Sequence, residues 1–122
     1  MHIKSKKNEK KFGKYKIIGK GGQGILFLSK VIAQALILSN VLNFSFLKEF
    51  DEGQRNGKIE VTFFLPLKIK NKIILIKKHN MIELRKIVKD MNLDKANVEK
   101  ALYVVKPEAF KNNINIWRQG IL

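Results

Sequence analysis

The chain has 122 residues, enough for one domain with a modest core. Lys and Arg number 25 against 10 Asp and Glu, a net charge of +15, and such self-repulsion calls for an anionic partner, salt or a tail that spreads the charge. The absence of cysteine excludes disulfides, iron–sulfur ligation and a cysteine nucleophile, and His2 and His79 are too few histidines for a zinc site of the chain's own.

Lysines outnumber arginines 22 to 3, as AT-rich coding would produce, and seven of them fall within residues 1–16 beside the single acid Glu9. Residues 1–14 therefore read as a flexible basic arm. It is either an anchor for nucleic acid or anionic lipid, or a solvated terminus enlarged by lysine usage. No apolar stretch follows closely enough for a signal peptide, and the chain reads as soluble and cytoplasmic.

Residues 15–122 read as a single domain. Residues 15–18 form a short apolar strand that stops at Gly19-Lys20-Gly21-Gly22-Gln23-Gly24. ILFLSKVIAQALILS (25–39) follows as a core helix, apolar on nearly every side. Lys30, Gln34, Asn40 and Asn43 argue against a membrane span over residues 25–47. A second strand is expected over 41–46, then a polar segment over 47–58. Ile59, Val61, Phe63 and Leu65 alternate with Glu60, Thr62 and Phe64 up to Pro66, the pattern of a strand, and residues 72–77 make another. Met81, Leu84, Val88 and Met91 lie at helical spacing, Asp94 reads as the N-cap of a further helix, and Pro107 starts the last. This order predicts an α/β protein that begins with a βαβ unit, has a mixed sheet with helices packed on it, and tends to three layers (α/β/α).

Gly19, Gly21 and Gly24 give the G-x-G-x-x-G spacing between a strand and a helix. Glycine permits positive φ and lets backbone amides approach an anion, and the helix that follows turns its positive end to the same place. Lys20 would add a cation. The same loop would also serve only to pack the helix close to the strand. A dinucleotide-binding Rossmann reading requires an acid at the end of the second strand, and Glu49 and Asp51 lie near that distance. No third βα repeat follows residue 77 to complete its second half.

GKGGQGILFLSKVIAQAL (19–36) resembles the opening of the gamma subunit of the 2-oxoacid:ferredoxin oxidoreductases, whose substrates include pyruvate, 2-ketoisovalerate, 2-oxoglutarate and indolepyruvate. That family carries an Arg-Gly-Gly element some way downstream, where this chain has Gln54-Arg55-Asn56-Gly57. Arg55 and Gly57 match, and Asn56 replaces a glycine. KPEAFKNNINIWRQG (106–120) resembles the family's closing helix. Between about Asn80 and Asp94 the chain is shorter than the family pattern.

The resemblance implies a subunit of an oxidoreductase of anaerobic metabolism, one that is not catalytic alone. The family oxidatively decarboxylates a 2-oxoacid to acyl-coenzyme A. Thiamine diphosphate and iron–sulfur clusters would lie on partner subunits, with ferredoxin an indirect partner. Coenzyme A positioning and subunit assembly would fall to this chain, at Gly19, Lys20, Gly21, Gly22, Gln23, Gly24 and Arg55. Arg55 would grip a phosphate or a partner carboxylate, or else stabilise a turn.

The remaining candidates read more simply. Phe44, Phe46, Phe63, Phe64, Phe110 and Trp117 suit the core or an interface, His79 beside Lys77 and Lys78 suits the surface, and Glu49, Asp51 and Glu52 form an acidic loop. A rival reading, a small basic nucleic-acid-binding module, rests on the charge and the arm but has no recognisable motif and little arginine.

Overall fold

The computed structural model describes residues 13–50, 57–66 and 69–119. Strand β1 (Gly13–Lys20) is followed by helix α1 (Ile25–Leu38), strands β2 (Ser45–Phe50), β3 (Lys58–Leu65) and β4 (Lys72–Leu75), and helices α2 (Asn80–Met91) and α3 (Lys95–Val105). A 3-10 turn, Pro107–Ala109, leads into α4 (Phe110–Gln119). The four strands form one mixed sheet in the order β2-β3-β1-β4, which is the expected α/β class.

β1 and β2 run in the same direction, but β3 lies between them, antiparallel to both. The βαβ start is therefore a split one. On the other side β1 pairs in parallel with β4, Ile17 opposite Ile74.

Alternation along the strands sorts the two faces. Tyr15, Ile17, Val61, Phe63, Leu65 and Ile74 are buried against the helices, together with Ile25, Leu28, Val31, Ile32, Ala35 and Leu36 of α1. Behind them pack Met81, Leu84 and Ile87 of α2, Val98, Ala101 and Leu102 of α3, and Ile114 and Trp117 of α4. The opposite face carries Lys14, Lys16 and Ile18 beside Glu60, Thr62 and Phe64, with Leu47, Ile73 and Leu75 exposed. Of the three layers expected, the described residues supply two.

The second strand starts later than residues 41–46. Asn40 takes a left-handed φ of 64°, and the N–H groups of Asn40 and Val41 return to Ile37 O at 3.0 Å and Leu36 O at 2.9 Å. This Schellman closure uses Val41 to end the helix. β2 is then an edge strand whose exposed residues follow no clean alternation.

The segment between Asn80 and Asp94 is α2 and a tight turn. Left-handed Asn92 closes the helix, Leu93 N–H bonds Val88 O at 3.0 Å, and Asp94 caps α3 by accepting from Ala96 N–H at 3.0 Å. β1 begins at Gly13, so Gly13 and Lys14 belong to the sheet, while the rest of the basic arm lies outside the described residues. No helix among the described residues is long and apolar enough to cross a membrane.

Candidate functional site

β1 and β4 are adjacent parallel strands, so the turns that follow them leave the sheet at the same edge. In open α/β sheets, the crevice beyond the carboxyl ends of the strands is where ligands bind. Here residues 22–24 after β1 and residues 77–80 after β4 line a cleft of about 440 Å³.

The loop after β1 is held by its own atoms. Gly21 N–H donates to Gly57 O at 3.1 Å, and Gln23 N–H to Lys20 O at 3.2 Å. The Gln23 side chain folds inward, its Oε1 accepting from Lys20 N–H at 2.7 Å and its Nε2 donating to Ile76 O at 3.4 Å. Gly24 caps α1 with φ 73° and ψ 30°, a left-handed conformation that favours glycine. A side chain there would also strike Asn80, whose Nδ2 donates to Gly24 O at 3.5 Å. Gly19 packs: a Cβ would strike Ile25 and Gln23.

The two helix N-termini beside the cleft differ in charge. At α2, His79 Nδ1 accepts from Met81 N–H at 3.1 Å, and buried Glu83 accepts from the amides of Lys77 at 2.7 Å and Lys78 at 3.0 Å. Burial pushes the Glu83 carboxyl up, but those two amides and the Lys86 ammonium outweigh it and hold the carboxyl below its usual range. That helix end is neutralised from within. α1 has neither a side-chain cap nor an acid in its first turn. Among the described residues the N–H groups of Gly22, Gly24 and Ile25 have no partner. Its positive end faces the cleft uncompensated, with Lys77 and Lys78 across from it.

Neither a family model nor a curated protein matches the sequence. Solved structures do. A pyruvate oxidoreductase subunit from Thermotoga maritima superposes with a TM-score of 0.70 at 12% identity, covering 91% of this chain and 96% of that one. The gamma subunit of a keto/oxoacid ferredoxin oxidoreductase from Geobacter sulfurreducens gives 0.66 at 15% identity, covering 88% and 95%. The chain has the fold of an oxidoreductase gamma subunit.

Within this gamma fold the residues expected at the site divide. Gly22, Gln23 and Gly24 line the cleft. Gly19 lies beneath the loop, Gly21 is tied to Gly57, and Lys20 ends β1 on the sheet face away from the helices. Arg55 lies outside the described residues. Lys77, Lys78 and Asn80, which sequence reasoning did not place at the site, complete it. His79 is exposed as expected, and it also caps α2.

The Rossmann reading loses its geometry. Its ribose-binding acid belongs on a strand next to the first. Glu49 sits on β2, beyond β3 and opposite Glu60, ~10 Å from β1 at the usual strand spacing. Asp51 lies outside the described residues.

Proposed function

We infer that the chain is an accessory, gamma-type subunit of a 2-oxoacid:ferredoxin oxidoreductase, and that its glycine loop helps to position coenzyme A during oxidative decarboxylation. One observation carries this reading: an uncompensated helix N-terminus and two lysines meet at a cleft on the carboxyl edge of a gamma-fold sheet. Coenzyme A is an anionic guest with three phosphate groups. The free amides of Gly22, Gly24 and Ile25 suit one of them, and Lys77 and Lys78 supply the counter-charge. The cleft has room for a phosphate group and its neighbours, not for the whole molecule. A partner subunit would hold the remainder.

The chain's own part is binding and orientation. Gln23 and Asn80 fix the loop so that its amides are set before the guest arrives, which reduces the ordering cost of binding. Thiamine chemistry and electron transfer through clusters to ferredoxin would belong to partner subunits of the assembly.

Co-expression with thiamine- and cluster-bearing subunits from the same genome tests both layers of the reading. Isolation of a complex that oxidises a 2-oxoacid in the presence of coenzyme A supports the subunit, and failure to assemble refutes it. Within that complex, Lys77→Ala with Lys78→Ala is expected to raise the KM for coenzyme A at least ~10-fold with kcat little changed. An unchanged KM in an assembled complex would remove coenzyme A from the loop and leave the subunit assignment intact.

A further inference from the structure

β4 is an edge strand, and its outward side carries a specific set of unpaired groups. Ile76 N–H donates to Ile18 O at 2.8 Å across the parallel β1–β4 pair. In a parallel pair, alternate residues turn both backbone groups to the same neighbour. Lys72, Ile74 and Ile76 therefore face β1, and Ile73 and Leu75 point their N–H and C=O groups out of the sheet. No strand among the described residues meets them. The same two residues are 65% and 54% exposed.

A groove of about 430 Å³ runs along this edge between β4 and the first turns of α2. Its rim is basic. Lys77 and Lys78 have no carboxylate partner among the described residues, and Lys86 reaches only Glu83, at 3.5 Å. Exposed apolar edges invite another strand, and proteins blunt them by keeping them short, as the four residues of β4 are, and with lysines that repel copies of themselves. Here the lysines repel a second copy of a +15 chain and attract an acidic segment.

We propose that the β4 edge is a strand-addition site for an extended segment of another protein, alternating acidic and apolar residues. Its apolar side chains would continue the exposed row of Ile73 and Leu75, and its carboxylates would meet Lys77, Lys78 and Lys86. Its backbone would pair with the free groups of Ile73 and Leu75. This goes beyond the coenzyme A cleft: Lys77 and Lys78 border both, whereas Ile73, Leu75 and Lys86 belong to the β4 edge alone.

The test uses the full chain at low salt and a blocked peptide alternating glutamate and valine over about eight residues, a usual strand length. The peptide is expected to bind and to slow amide exchange at Ile73 and Leu75. Methylating alternate backbone nitrogens of the peptide, on the edge that meets β4, should weaken binding ~10-fold or more. Replacing its glutamates by lysine should abolish binding. Ile73→Pro removes one outward N–H and leaves the β1 ladder intact, so it should lose the peptide while melting normally. Absence of binding would overturn the proposal. So would equal binding by the methylated peptide or by folded Ile73→Pro, because the attraction would then be ionic only. Concentration-dependent dimers that Ile73→Pro abolishes would assign the edge to a second copy instead.

Discussion

The Tyr15 hydroxyl donates to Asp90 Oδ2 at 2.5 Å, and Lys72 Nζ reaches the same oxygen at 2.8 Å, so one carboxylate ties β1 and the start of β4 to the end of α2. Burial, and then the carboxylate itself, raises the Tyr15 hydroxyl far above the usual phenol range. The phenol stays neutral and acts as a donor. Asp90→Ala would strand a hydroxyl on a residue 1% exposed, and is expected to cost about 1–3 kcal/mol in urea unfolding. Tyr15→Phe leaves Asp90 paired with Lys72 and should cost less, about 1 kcal/mol. The opposite ranking would mean that Lys72 alone does not satisfy the carboxylate.

Acid should begin to unfold the protein only as the pH falls below the ordinary carboxylate range, and the direction follows from three groups. Burial raises Asp90, but hydrogen bonds from Lys72 and Tyr15 outweigh it and leave the carboxyl below its usual range. Glu83 is lowered in the same sense by backbone amides, and Glu99 by the hydrogen bond from Arg118 against an opposing burial. A carboxyl whose folded value is depressed contributes stability that is complete above its unfolded value and is lost as the pH falls through the folded one. Stability should therefore hold from neutrality to the ordinary carboxylate range and fall below it. Glu83→Gln should flatten that acid limb, as followed by circular dichroism across a pH series.

Gly24→Ala tests the loop's backbone. The left-handed φ and the clash with Asn80 both oppose a Cβ, and the expected loss is about 1–2 kcal/mol in thermal unfolding. Adding Asn80→Gly to the alanine variant should recover the part due to the clash and not the part due to φ. Full recovery would assign no cost to the backbone conformation.

The chain's only tryptophan reports on the last helix. Trp117 Nε1 donates to Glu99 Oε2 at 3.0 Å, and Arg118 closes on the other oxygen at 2.7 Å. Glu99→Leu leaves the buried indole N–H without an acceptor, at a cost of about 1–3 kcal/mol. Glu99→Gln keeps an acceptor and should cost less. Indole emission during denaturation separates the two.

Much of this fold could be read from the residues because strong periodicity marks it. Val61, Phe63 and Leu65 announce β3, Met81, Leu84 and Val88 announce α2, and Asp94 is the cap it resembles. β2 is harder to place, since at an edge Lys48 and Glu49 are as welcome as Phe46. Strand order lies beyond local pattern, because the insertion of β3 between β1 and β2 is a matter of long-range pairing. The site divides likewise. The glycines declare the loop, but Lys77, Lys78 and Asn80 join it only because β4 docks beside β1, and nothing near them in the sequence says so.

The split crossover also governs the order of events during synthesis. β1 leaves the ribosome before both of its neighbours, β3 and β4, the nearer starting only at Lys58. Until then a nascent chain displays an unpaired strand, GKYKIIGK, with both edges open. Its lysines are placed to discourage premature liaisons during that wait, and slowing translation before Lys58 should lengthen the window in which chaperones capture it.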